Sequence, residues 1–278
     1  MPLLVTSAAG DNGNGFGTLL AFDLGGRLFG PFSDDSRITD PRGLAANRGE
    51  GLLFLNSGTN RILAIDQTGR VVRDTSVIEG LNPGGGNFGP DGRYYVGLRS
   101  ARTIMAFSVG LDAVGEYILP AGIVAFPRGF AFGSDGRLFL ASGIGPNGEG
   151  DNAILVFPAN GSTNATRLVT DPELSPLDLA IAPNFNIVVS SEHPFGTSAA
   201  VTTIREYDSV DGHLVRVFSP NGLAELRKPR GLRFSPNGHL CCVARDEVVE
   251  FDFVSGECLG ALVRLPRLNG QALEFFST

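Results

Sequence analysis

Short apolar runs recur along the chain, separated by turns rich in Asp, Asn, Gly and Pro. Pro90-Asp-Gly-Arg-Tyr-Tyr-Val, Ser134-Asp-Gly-Arg-Leu-Phe-Leu, Pro183-Asn-Phe-Asn-Ile-Val-Val and Pro236-Asn-Gly-His-Leu-Cys-Cys-Val all place such a turn just before an apolar run. Asp-Gly and Asn-Gly supply the positive φ angles of tight hairpins, so each pattern predicts a turn entering a β-strand. A second signature precedes these turns. Five segments carry it: Pro41-Arg-Gly-Leu-Ala, Pro83-Gly-Gly-Gly-Asn-Phe, Pro127-Arg-Gly-Phe-Ala-Phe, Pro176-Leu-Asp-Leu-Ala-Ile and Pro229-Arg-Gly-Leu-Arg-Phe. A third apolar run follows each turn and ends near an aromatic or an Asp, as in Ile62-Leu-Ala-Ile-Asp66 and Ile204-Arg-Glu-Tyr-Asp208. A Gly-containing turn and a short fourth strand come next, as in Gly69-Arg-Val-Val-Arg.

The unit is therefore a four-stranded antiparallel meander, and its period decides the fold. Successive anchors lie 42, 44, 49 and 53 residues apart, and a degenerate sixth, Leu268-Asn-Gly-Gln-Ala-Leu, follows Pro229 by 39. Leu3-Leu-Val-Thr6, Thr18-Leu-Leu-Ala-Phe-Asp23 and Arg27-Leu-Phe29 read as second, third and fourth strands lacking a first. Asn269 to Phe276 read as a first strand lacking followers. One blade built from both chain ends closes the set, which predicts an all-β, six-bladed β-propeller over residues 1–278 as a single domain. Closure also removes the free sheet edge of an open array.

Composition narrows the function classes. Glycine and proline number 38 and 17 in 278 residues, too many turn-formers for a mostly helical protein. With 22 basic and 29 acidic residues the net charge is −7, which argues against nucleic acid as a partner. Three cysteines make no disulfide framework, and Cys241 and Cys242 alternate faces of one strand. No apolar stretch is long enough for a membrane span. The expected location is cytoplasmic as the sequence stands, or secreted or periplasmic if a signal segment has been removed, in which case Asn164-Ala-Thr166 becomes a glycosylation acceptor. The oligomeric state is not written in the sequence.

The Pro-Arg-Gly-Leu-Ala and Asp-Gly-Arg-Leu-Phe pattern resembles the NHL-repeat propellers and their gluconolactonase (senescence-marker) and strictosidine-synthase-like relatives, over essentially the whole chain. Such rings include lactonases, lyases and plain binding modules, so the resemblance speaks for architecture first. In gluconolactonase-like relatives an axial divalent cation is held by acidic and amide side chains. Their axial Asn-Gly pair is similar to Asn269-Gly270, and their axial acid corresponds to Asp178. Their usual glutamate near the first blade has no counterpart in Leu3-Leu-Val-Thr-Ser, where Asp11 is the nearest substitute.

In such a meander the start of each innermost strand and the loop between strands two and three share one face, so distant residues meet at one mouth of the central channel. Arg42, Arg128 and Arg230 occupy one anchor position in three blades, and their guanidinium forks suit an anion or, alternatively, interblade pairing. Asp178 replaces the anchor glycine and is a candidate metal ligand, general base or arginine partner. Further in, Ala45, Ala131, Ala180 and Ala272 imply a crowded axis, where Asn87, Arg233 and the neighbouring Gln271 are exceptions that need partners or a ligand. Three longer second-to-third-strand loops bring Asp11, Glu149, Asp151 and Glu192 to the same face as candidate calcium ligands, with His193 as the candidate general base. The leading expectation is a propeller binding a small anionic molecule or a protein or peptide at the channel mouth. The alternative is a divalent-metal-dependent lactone or ester hydrolase, and a lyase is the third reading.

Overall fold

The computed structural model describes residues 1–9, 15–120, 123–124, 126–144, 151–159, 164–192 and 202–276, and it is a ring of six four-stranded antiparallel blades. Blade one comprises Leu44–Asn47, Leu52–Ser57, Arg61–Ile65 and Val71–Asp74. Blade two comprises Pro83–Phe88, Tyr94–Leu98, Thr103–Phe107 and Ala113–Ile118. Blade three runs through Phe126–Phe132, Leu138–Gly143, Ala153–Phe157 and Thr166–Val169. Blade four runs through Pro176–Ile181, Ile187–Ser191, Thr203–Tyr207 and Leu214–Phe218. Blade five holds Pro229–Phe234, Leu240–Ala244, Glu247–Phe251 and Cys258–Arg264. The sixth blade takes Leu3–Ser7, Leu19–Phe22 and Leu28–Pro31 from the start of the chain and Gly270–Phe275 from its end. Leu4 faces Glu274 and Thr6 faces Ala272 across this seam.

Burial follows from the alternation of each strand between two neighbours. Six apolar clusters fill the ring, and each joins one blade to the next. Leu53, Leu55 and Leu63 of blade one meet Leu4, Leu19 and Ala272 of the sixth, and Val243 and Val248 of blade five meet Leu3, Val5 and Leu273. Flat rings fill the remaining wedges: Phe54 of blade one lies 5.0 Å from Phe88 and from Tyr94 of blade two. The fourth strands carry the exposed face, which is why their burial is lowest.

The Pro-Arg-Gly anchor has a physical origin in the crowding at the axis. In blades two, three, four and five the pairing of the innermost strand shifts register just after the anchor proline, a bulge that turns the next side chains toward the channel end. The glycine is required by contact with the next innermost strand. A Cβ on Gly43 would lie 2.7 Å from the Gly84 carbonyl oxygen, and one on Gly231 would lie 2.7 Å from Ala272 Cα. The four small residues expected near the axis, Ala45, Ala131, Ala180 and Ala272, are all buried. Among the described residues no helix is long and apolar enough to cross a membrane.

Candidate functional site

Every innermost strand begins at the same end of the ring, and the loops after the second strands return there. At this end lies a small cavity of about 60 Å³, lined among others by Arg42, Arg99, Arg128, Arg230, Arg233 and Asp178. Gln271 and the glycines of the Pro83-Gly-Gly-Gly anchor complete much of its wall. At roughly 10–15 Å³ per water, that space suits a cluster of about four to six waters, or one small polar head group.

The arginines differ in how they are satisfied. Arg42 lies 3.5 Å from Asp40 and donates from Nη1 to Asn82 Oδ1 at 3.0 Å. Arg230 is 3.6 Å from Glu192. Arg233 donates to Glu274 Oε2 at 3.2 Å, to the Leu44 carbonyl at 2.9 Å and to the Leu232 carbonyl at 2.7 Å, with Asp178 at 3.7 Å. Burial opposes its charge, but Glu274 and Asp178 outweigh burial and raise its pKa. Asp178 Oδ2 accepts from the Leu232 backbone N–H at 3.0 Å, so this carboxylate ties blade four to blade five. Burial raises its pKa, against the pull of Arg233 and that hydrogen bond. A Cβ on Gly129 would meet Asp178 Oδ1 at 2.0 Å, so the blade-three anchor glycine makes room for the carboxylate.

Arg99 and Arg128 have no such partners. Neither side chain has a hydrogen bond or ion pair to any described residue, and the Nε of each is buried and unsatisfied. Arg128 has instead the ring of Phe126 at 5.4 Å. Gly84 and Gly143 hold the two side chains closely; a Cβ on Gly84 would lie 3.1 Å from Arg99 Nε, and one on Gly143 2.7 Å from Arg128 Nε. Burial pushes Arg99 down to about 9, and the neighbouring charges of Arg42, Arg128 and Arg230 add to the fall while Asp40 opposes it. Burial and Arg230 also lower Arg128, offset in part by Glu192.

The other candidates are placed as follows. Asn87 donates to the Phe130 carbonyl at 3.4 Å and lines a separate recess with Arg48 and Glu274, bounded by the axial alanines, rather than the arginine cavity. Arg233 borders both recesses. Asn269 adopts a positive φ of 44° and donates to the Ala8 carbonyl at 3.3 Å, which ties the closing seam; Gln271 in turn donates to its carbonyl at 3.1 Å. Asp151 is ion-paired with Arg167. Asp11, Glu149 and His193 lie outside the described residues. Arg99 was not singled out by the sequence reading; its signal is an arginine directly after a second strand, where blade one has Gly58, blade three Gly143 and blade five another arginine, Arg245. The three cysteines are buried and unpaired, and burial pushes the Cys241 and Cys242 thiols up.

One cluster does suit a divalent cation. Donor atoms of Asp208, Asp211 and His213 lie within 4.8 Å of one another, and His213 Nδ1 is 2.6 Å from Asp211 Oδ1. These residues form the turn after Thr203–Tyr207. Pairing of Ser191 with Pro176 and Thr203, and of Ile187 with Ile181 and Tyr207, puts that turn at the end of blade four opposite Asp178. The arginine cavity itself does not fit a cation: Asp178 is its one carboxylate among the described lining residues, and five guanidiniums surround it.

No protein-family model matches the chain, and no curated protein matches it. Solved structures do. A chain of the nidogen–laminin complex is 13% identical, covering 98% of this chain and 97% of its own length at a TM-score of 0.75. A gluconolactonase from Xanthomonas campestris is 18% identical, with 96% and 86% coverage and a TM-score of 0.64. A streptogramin B lyase is 16% identical over 77% of this chain at a TM-score of 0.57, and the chain spans 66% of that protein's length. At these identities the likeness establishes the class, a six-bladed β-propeller.

Proposed function

We propose that this propeller binds a small anionic molecule in the arginine-lined mouth of its channel. The observation that carries this reading is the pair Arg99 and Arg128, buried beside other guanidiniums without a carboxylate partner among the described residues. A buried, unpaired cation destabilises a fold unless something compensates it, and an anionic ligand supplies the compensation that the described residues do not. Guanidinium forks match the two oxygens of a carboxylate or phosphoryl group. The limited volume favours a head group over a bulky body.

A second reading, a divalent-metal-dependent lactone or ester hydrolase, has its own support. The gluconolactonase shares the fold, and the Asp208, Asp211 and His213 donors suit a divalent cation. The two readings part in one experiment. Calorimetric titration with acetate, citrate and inorganic phosphate in the presence of a chelator is expected to give saturable, salt-sensitive binding that falls at least tenfold in Arg128→Met. Absence of anion binding, together with lactone hydrolysis that needs an added divalent cation, overturns the first reading in favour of the second.

A further inference from the structure

The charge pattern of the mouth is specific enough to define the ligand's head group, given the anion-binding reading on which this inference rests. Three of the five guanidiniums are compensated from within: Arg42 by Asp40, Arg230 by Glu192, and Arg233 by Asp178 and Glu274. Among the described residues nothing compensates the other two, Arg99 and Arg128, and both line the same small cavity. Both belong to the wall of that one cavity of about 60 Å³, so a compact ligand group placed there lies beside both.

A monoanion such as a simple carboxylate would leave one of the two charges uncompensated. Two separate carboxylates on a longer molecule would answer both charges, but they divide the charge between two planar centres instead of gathering it on one. A phosphate monoester carries a charge of about −1.5 to −2 at neutral pH on one tetrahedral centre with three acceptor oxygens. Two planar forks can take different oxygen pairs of such a group, whereas a planar carboxylate presents one edge. The remainder of the molecule would then project through the mouth.

We infer that the mouth recognises a doubly charged oxyanion head group of the phosphate-monoester kind, with Arg99 and Arg128 as the residues that set this preference. Arg42 and Arg230, already held by carboxylates, are lesser contributors.

The test is a titration series on the full chain with inorganic phosphate, methyl phosphate, acetate and malonate, at fixed ionic strength and from about pH 5 to pH 10. Methyl phosphate and inorganic phosphate are expected to bind at least tenfold more tightly than acetate. Their affinity should rise between about pH 5 and pH 7, as the second phosphate proton leaves with a pKa near 6. It should fall above about pH 9, as Arg99 gives up its proton. Arg99→Met should lower phosphate affinity at least tenfold and acetate affinity by much less. Acetate binding as tightly as phosphate, or malonate binding more tightly, overturns the inference and leaves the anion-binding reading standing. Failure of every anion to bind overturns both. If Arg99→Met does not fold, the ligand ranking and pH profile of the unaltered chain decide.

Discussion

The two ends of the ring solve the same electrostatic problem in opposite ways. At the end bearing the hairpin turns between third and fourth strands, charges are spent locally on the chain itself. Asp23, Asp66, Asp208 and Asp252 occupy matching turn positions, and each carboxylate accepts backbone N–H groups two to four residues on, such as Gly25 and Arg27 for Asp23 at 2.9 Å. The hydrogen bond from the Thr68 hydroxyl, helped by the Thr68 and Arg70 amides, holds Asp66 below its usual range against the opposing effect of burial. At the mouth, Arg99 and Arg128 sit buried among like charges with no such partner among the described residues. The contrast teaches that the turn end is tuned for folding. The mouth gives up stability at a few positions, the usual sign of a surface kept for something other than the fold.

Three experiments bear on this contrast. The largest effect should come from removing residues 269–278, which takes away the inner partner of Leu3–Ser7 and exposes the apolar contacts of two blades. Both ends depend on that seam, so the cooperative thermal transition is expected to be lost or sharply lowered. Unchanged melting would mean that the ring does not need its closing strand.

The next effect is of opposite sign. Arg99→Met removes an unsatisfied buried donor and its charge, and should stabilise the folded protein by about 2 kcal/mol at neutral pH. The pH dependence follows from the depressed value near 9. Below it Arg99 is protonated in both folded and unfolded chains, and the folded state bears the burden in full. Above it the folded state sheds the proton while the unfolded chain keeps it, so stability rises with pH. The unaltered protein should therefore gain on the variant between about pH 8 and pH 10. A variant that melts lower at every pH would place Arg99 among the structural arginines.

The smallest effect concerns the turn end. Gly92, Gly136 and Gly238 take positive φ in the hairpins between first and second strands, and Phe185 stands at the matching position of blade four with φ 67° and 63% exposure. Phe185→Gly should stabilise by about 1 kcal/mol, as the left-handed backbone strain is relieved. A loss of stability would show that the ring of Phe185 does work that exposure conceals.

Much of this architecture was legible because it is repeated. The anchors, the turns and the complementary ends point to six blades, and the axial alanines are buried as their position implies. Arg42, Arg128, Arg230, Arg233, Asp178 and Gln271 come together at one cavity for the same reason. What the pattern hides is the non-repeating part. Arg99 follows a second strand at a position filled differently from blade to blade, by Gly58, Gly143, Glu192 and Arg245 among others, so no repeat marks it out. Asn87 lies past the bulge, where the strand has turned toward the other recess. Asp178 meets Arg233 rather than an anchor arginine, because its carboxylate reaches across to the next strand's Leu232 amide. His213 reads as an ordinary turn residue until folding sets it against Asp208 and Asp211.

The seam between Leu3–Ser7 and Gly270–Phe275 has a consequence for how the molecule is made. During synthesis the earliest strand emerges without its inner neighbour and must wait for some 260 intervening residues before it can be matched. Most blades can assemble on the ribosome in turn, but the circle, and with it the pooled arginine field, exists only once Gly270–Phe275 has been made and paired. Until Gly270–Phe275 pairs with Leu3–Ser7, the blades form an open arc rather than a ring.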